Sequence, residues 1–270
     1  MSVSTKKPSP WLDLVPRVAS AMALGPLVLG AIWLGGLYWQ VLLTLLAAVA
    51  AAEWVSLCGL KLDSPPSIAA TVTVPAAQVA YLMTHLAWAP AVVIALMGNV
   101  LAWSWRTLGM GLLYIGAGYV SLLLLRERAG GHANLLFLLL VVWANDIGAY
   151  LAGRTIGGRR MAPKLSPGKT WAGAGGGLVW ALFAGLGVAL FYHTDQPGQF
   201  RAEGLAAAIA VLAQAGDLLE SAMKRRFGRK DSGGLIPGHG GILDRVDGLL
   251  AAAPPVLAWQ FLWHGPTLWQ

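Results

Sequence analysis

Apolar residues run along this chain in long stretches, separated by short clusters of charge, proline and glycine. The stretches approach the ~20 residues that a helix needs to cross a bilayer and are too long for one globular core to bury. Cutting at the charges, the Pro/Gly clusters and the run lengths predicts nine helices, over 18–34, 37–58, 68–84, 87–104, 107–125, 134–153, 171–192, 203–223 and 246–264. The third and fourth are parted only around Thr84, His85 and Leu86, and Pro75 and Pro90 lie within that apolar region. The expected fold is all-α: a polytopic integral membrane protein with about nine transmembrane helices. No internal repeat, coiled coil or low-complexity tract interrupts the pattern.

Composition sharpens this. Of 270 residues, 57% are hydrophobic and 11% charged, where a soluble domain carries roughly 45 to 50% apolar and about 25% charged residues. A formal net charge of +7 would suit a nucleic-acid ligand, but the positions of the cations argue against one. With a cytoplasmic N-terminus and nine crossings, 16 of the 19 Lys and Arg fall on the cytoplasmic side, and only Arg126, Arg128 and Arg201 fall outside. That is the positive-inside bias of a bacterial-type inner membrane protein, and it puts the C-terminus outside. Lys6, Lys7 and Arg17 precede the first apolar run without an A-x-A-like site, so an uncleaved first span is expected. The single cysteine, Cys58, rules out an internal disulfide and a Cys-rich metal cluster. Trp11, Trp39 and Trp269 sit near the predicted interfaces, where indoles anchor a span.

Polar chemistry is unevenly distributed. Residues 1–140 are mostly apolar around one intramembrane carboxylate, Glu53, which either serves the site or pairs internally, and they read as scaffold and lipid-facing wall. Residues 141–270 hold almost every group a reaction would need and read as the catalytic region. At the end of the eighth span Asp217, Glu220, Ser221 and Lys224 stand at i, i+3, i+4 and i+7, so two carboxylates, a hydroxyl and an ammonium share one helix face. Charges at membrane depth cost about 2.5 to 3.5 kcal/mol each, so such a group normally faces a cavity, a metal or a partner. An interfacial Glu220–Lys224 salt bridge is the plainer alternative.

The connector that follows, from Lys230 and Asp231 to Asp244, Arg245 and Asp247, has five glycines between 233 and 241. Their backbone amides can close around phosphate oxygens. Asp244 and Asp247 either cap the last helix or face the first acidic group across this loop. Hard oxygen ligands from Asp217 and Asp244, with no His or Cys set beside them, suit Mg²⁺ that keeps water and takes substrate phosphates. His239 is equally well read as a proton carrier, a phosphate donor or a structural hydrogen bonder. Upstream, Asp146 is a further intramembrane carboxylate with Tyr150 one turn on. Gly168-Lys169-Thr170 resembles the end of a P-loop, but Pro163 stands where that pattern needs Gly, and no strand is expected before it. Lys164 and Lys169 as point charges, with Ser166 and Thr170 as donors at the start of the seventh helix, still suit phosphate. Gly173, Gly175, Gly176 and Gly177 permit close helix packing.

The run Ser221-x-x-Lys224-Arg225-x4-Lys230-Asp231-x-Gly233-x2-Ile236-Pro237-x-His239-Gly240-Gly241-x-Leu243-Asp244-Arg245-x-Asp247 resembles the signature of the phosphatidate cytidylyltransferases, the CDP-diacylglycerol synthase family. Asp146-x-x-Ala149-Tyr150-x-x-Gly153 and Ser166-Pro167-x-Lys169-Thr170 resemble the same family's nucleotide-side region, so the likeness covers about residues 140–250. It departs at Ala172, where many members carry Glu. The resemblance implies a Mg²⁺-dependent transfer of CMP from CTP to phosphatidic acid, giving CDP-diacylglycerol and pyrophosphate, with Mg²⁺ on Asp217 and Asp244 and with or without a second cation. Lys224, Arg225, Lys230 and Arg245 would hold the lipid phosphate or the departing pyrophosphate. Asp146, Ser166, Lys169 and Thr170 would lie on the nucleotide side, with Ser221 and Asp231 as further binding groups and Asp247 and His239 beside the reacting centre. A phosphomonoester has its second pKa near ~6, so no general base is required. The implied partners are the two substrates and membrane lipid, with no nucleic acid and with a homodimer left open. Two other classes remain: a secondary transporter for an anionic solute, and another lipid-phosphate transferase using a nucleotide sugar or a CDP-alcohol.

Overall fold

The computed structural model describes residues 14–234 and 240–262, with side chains from Met22 onward. Among these residues lie nine helices: α1 (Leu14–Leu34), α2 (Gly36–Leu57), α3 (Pro65–Thr84), α4 (Ala89–Ser104), α5 (Arg106–Glu127), α6 (Gly131–Thr155), α7 (Trp171–Phe191), α8 (Gln196–Arg226) and α9 (Leu243–Leu262). They follow the nine apolar segments closely, except that α8 begins at Gln196 rather than 203 and has 31 residues. At about 1.5 Å per residue it is roughly 46 Å long, well beyond the bilayer's hydrocarbon thickness. Asp195 sets its start by accepting a hydrogen bond from Gly198 N at 2.8 Å, with Pro197 in the first turn. Arg201 and Glu203 hide this start from a reading based on apolarity.

Length and composition leave the count of nine crossings unconfirmed. Among the described residues six helices, α2, α3, α5, α6, α7 and α8, are long and apolar enough to cross a membrane. Helix α4 has only 16 residues, and α9 carries Asp244, Arg245 and Asp247 in its first turns. Large apolar side chains face outward from these helices, Trp103 at 93% exposure and Phe183 at 69% among them. Such surface has no place in water and identifies an integral membrane protein.

The chain also contains a short hairpin that the sequence reading takes as loop. β1 (Arg160–Ala162) pairs antiparallel with β2 (Ser166–Thr170), with Arg160 opposite Thr170 and Ala162 opposite Ser166. A strand therefore does precede Gly168-Lys169-Thr170, but Lys169 lies within β2 rather than in a phosphate-cradling loop. The absent glycine at Pro163 still rules out a P-loop.

Side-chain contacts sort the connectors onto two ends of the bundle. At one end Arg126 donates to Ile32 O at 2.9 Å, His132 packs edge-on against Trp33 and beside Tyr192, and Arg128 lies over Phe261. At the other, Trp54 donates to Thr107 O, Arg229 to Ser56 and Arg225 to Leu165 O, each at 3.2 Å. Helix α5 forms the centre, with Leu108, Leu112, Ile115, Tyr119 and Leu123 fully buried. Trp39 belongs to this core: it is 5% exposed and donates to Leu122 O at 3.3 Å, so it is not an interfacial anchor. Trp11 and Trp269 lie outside the described residues.

Helices α6 and α7 approach closely through glycine. A Cβ on Gly176 would stand 2.2 Å from Ala152 Cβ, and one on Gly148 would stand 2.7 Å from Gly176 O. Gly173 and Gly177 face α6 in the same way, whereas Gly175 faces open space. Three of the four glycines at the head of α7 are thus packing surface, as small residues at membrane helix crossings generally are.

Candidate active site

Helices α8 and α9 meet at Gly216, where a Cβ would stand 2.4 Å from Ala251 Cβ and 2.9 Å from Asp247 O. This close approach brings the acidic face of α8 against the first turns of α9. Lys224 lies between them, its ammonium paired with Glu220 Oε2 at 3.2 Å and with Asp244 Oδ1. The i, i+4 salt bridge is therefore real, but it is one half of a buried bridge between helices. Its members are largely withdrawn from water, with side-chain exposures of 12% for Lys224, 4% for Glu220 and 6% for Asp244. Ser221 Oγ lies 3.5 Å from Asp217 Oδ1, as the helical spacing predicts. Asp247 lies within electrostatic reach of both Glu220 and Asp217.

The glycine loop is closed by the protein's own carboxylates. Asp244 Oδ2 accepts from Ser232 N at 2.9 Å and from Gly241 N at 2.8 Å, with Ser232 Oγ also at 2.9 Å. Glu53, from α2, accepts from Ile242 N at 2.9 Å and from Leu243 N at 2.8 Å. Glycine is required at 240, where φ is +79° and a Cβ would stand 2.5 Å from Asp244 Oδ2. Amides expected to be free for phosphate are, around residues 232 and 241–243, occupied by these two side chains. Glu53 pairs internally with this loop, the second of the two readings open to it, and its partners could not be foreseen because they are far away in sequence.

The hairpin completes the site from the side of α6 and α7. Lys169 forms an ion pair with Asp217, whose side chain is 41% exposed. Asp146 is exposed, accepts from Asn145 Nδ2 at 3.2 Å, and is within electrostatic reach of Asp217, Lys169 and Arg245. Gln214 Nε2, on α8, donates to Asn145 Oδ1 at 2.8 Å and so ties the residue beside Asp146 to the helix of Asp217. Thr170 caps α7, its hydroxyl oxygen accepting from Gly173 N at 3.0 Å. Arg225 donates to the hairpin turn at Leu165 O, and Ser166 is half-buried in β2. Lys230, Asp231 and Arg245 are exposed at this same end, and Tyr150 accepts from Arg154 at 2.7 Å. His239 lies outside the described residues. The acidic groups of α6, α8 and α9 therefore meet, together with the lysines from the hairpin and α8. Beside Asp146, Ile147 opens an apolar groove between α6 and α7 that continues over Trp143, Trp180, Val188 and Phe191.

The carboxylates also set what a metal ion would find. Among the described residues no three His, Cys, Asp or Glu are grouped to hold a metal, so the protein offers no complete cage there. Asp217 and Asp244 each hold an ammonium, a cation already at a carboxylate oxygen. Asp244 fixes Oδ2 to the loop and turns Oδ1 away from it. Carboxylate oxygens are the hard ligands that suit Mg²⁺, which draws most of its ligands from water and substrate phosphates, and each aspartate would exchange its lysine for the ion; zinc wants a fuller protein set.

Comparisons with known proteins agree with the resemblance in the signature. The model of the cytidylyltransferase family matches residues 15–263. A protein named phosphatidate cytidylyltransferase from Brucella suis is 36% identical over 247 residues, covering 89% of this chain and 91% of its own. One of the same name from Pseudomonas aeruginosa is 36% identical over 270 residues, covering 94% and 100%. A third, from Haemophilus influenzae, is 47% identical over 123 residues, 44% of this chain and 43% of its own.

Proposed function

Because this chain belongs to the cytidylyltransferase family, we propose that it is a membrane-embedded phosphatidate cytidylyltransferase: a phosphate oxygen of phosphatidic acid attacks the α-phosphorus of CTP, and pyrophosphate leaves. The observation that supports this reading is a pair of lysine–carboxylate contacts at one end of the bundle, Lys169 with Asp217 beside the hairpin and Lys224 with Asp244 beside the glycine loop. Two anionic substrates repel each other, so the protein's main tasks are to neutralise and align them. Lys169 moves from Asp217 to the nucleotide phosphates, and Lys224, Arg225, Lys230 and Arg245 hold the lipid phosphate and the departing pyrophosphate. Asp146, with Ser166 and Thr170, orients the nucleotide.

Asp217 and Asp244 would hold Mg²⁺, which would supply charge neutralisation to the reacting phosphates. The acyl chains have an apolar surface in the groove between α6 and α7, which begins beside Asp146. We place this end of the bundle at the cytoplasmic face, with α1 to α9 all crossing and the N-terminus inside, because the two basic connectors lie there.

The test is direct. Purified protein in phosphatidic-acid liposomes with labelled CTP and Mg²⁺ is expected to form labelled CDP-diacylglycerol and one pyrophosphate per turnover. Absence of that lipid overturns the reading, and uptake of an anionic solute without CTP would replace it with transport.

A further inference from the structure

Glu53 is a buried carboxylate of the apolar half, and the proposed chemistry leaves it unused. It is 9% exposed and sits one turn from the end of α2. Both of its oxygens are engaged at the start of α9: Oε1 accepts from Ile242 N, and Oε2 accepts from Leu243 N with Ser232 Oγ at 3.0 Å. The first amides of a helix have no partner inside the helix and are usually capped by a Ser, Thr, Asp or Asn just before it. Here Gly240, Gly241 and Ile242 precede Leu243 and offer no such side chain, so the cap comes from another helix 190 positions away.

The loop has been shaped around this carboxylate. A Cβ on Gly233 would stand 2.8 Å from Glu53 Oε1, and one on Gly241 would stand 2.4 Å from Glu53 Oε2. Ser232 Oγ lies between Glu53 Oε2 and Asp244 Oδ2, at 3.0 and 2.9 Å, with a single proton to give the two carboxylates. The two ends of the loop are thus drawn together over Glu53, and the same grip sets the first turn of α9, from which Asp244 faces Lys224.

We propose that Glu53 is a positioning residue, a tertiary cap that draws together the two described ends of the glycine loop and fixes the first turn of α9, so that Asp244 keeps its Oδ1 on Lys224 and holds that ammonium in place for the reacting phosphates. This rests on the reading of the site as a cytidylyltransferase centre. Glu53 itself touches no substrate, since both of its oxygens are spent on the protein. The packing of α2 does not depend on it either, since the neighbouring Trp54 and Val55 are buried against the core on their own account.

Glu53→Gln keeps the shape but sets an NH₂ against a backbone N–H. In liposomes with CTP and phosphatidic acid its kcat is expected to fall about 10- to 100-fold with KM for CTP within about threefold, the range for partners that orient a reacting group. Hydrogen exchange over 240–246 should quicken at least about tenfold, while 112–123 in α5 is unchanged. Ser232→Ala, which leaves α2 intact, should quicken the same segment and lower kcat, and Glu127→Gln, at the far end of the bundle, should match the wild type. A kcat for Glu53→Gln within twofold of wild type, or unchanged exchange at 240–246 in both site variants, overturns the proposal. The exchange measurement needs no substrate, so a wild type that makes no CDP-lipid sinks the cytidylyltransferase reading while the clamp is still judged by exchange.

Discussion

A carboxylate in this chain is defined by what meets it. Asp217 meets a lysine and partial solvent, and Asp244 meets a lysine and two backbone amides. Asp217→Asn therefore leaves the bundle standing and is expected to lower kcat/KM at least about 100-fold, on the order of 3 kcal/mol of transition-state stabilisation. The control is an unchanged unfolding temperature in detergent. Asp244→Asn should cost as much activity and some stability too, because an amide cannot accept at every position the carboxylate now fills. A chelator should abolish turnover and added Mg²⁺ restore it, read as labelled CDP-lipid formed. The helical face 217, 220, 221 and 224 was legible from spacing alone, since i, i+3, i+4 and i+7 admit one geometry. The second partner of Lys224 and the Gln214–Asn145 tie behind Asp146 were not, because each depends on which element lies opposite, whereas the cap of Thr170 on Gly173 N is local to the start of α7.

At the scale of elements, the packing of α6 on α7 depends on where small residues fall. Gly176→Val is expected to destabilise the detergent-solubilised protein by roughly 1 to 3 kcal/mol, because its added atoms meet Ala152 and Gly148 O. Gly175→Ala, one position earlier and facing open space, should change stability by less than about 1 kcal/mol. Thermal unfolding of the two variants side by side measures the difference. Helix existence was legible throughout, because apolar length reports it directly. The hairpin was not: its strands are three and five residues long, include Pro167, and carry no run of alternating apolar residues. What holds it is context, including Trp171 N on Arg159 O at 3.0 Å and Arg225 on its turn.

For the whole molecule, the connectors α2–α3, α4–α5, α6–α7 and α8–α9 share one end of the bundle, the end that carries the site. Lys61→Cys and Lys164→Cys in a Cys58→Ser background should therefore react with an impermeant maleimide from the same side of sealed vesicles, and Ala129→Cys from the opposite side. Labelling of Lys61→Cys and Lys164→Cys from opposite sides would contradict the arrangement. The sequence by itself determined that the chain lives in a bilayer, roughly where its helices lie, that its cations favour one face, and which stretch gathers most of its carboxylates and lysines, because apolar length, charge position and local spacing are properties of a chain read in order. Tertiary structure alone decided that Lys224 bridges two helices, that Lys169 reaches Asp217 and that Glu53 closes the glycine loop. Each of those is a meeting of groups from separate segments, and a buried charge takes whichever partner the packing delivers, something no local pattern encodes.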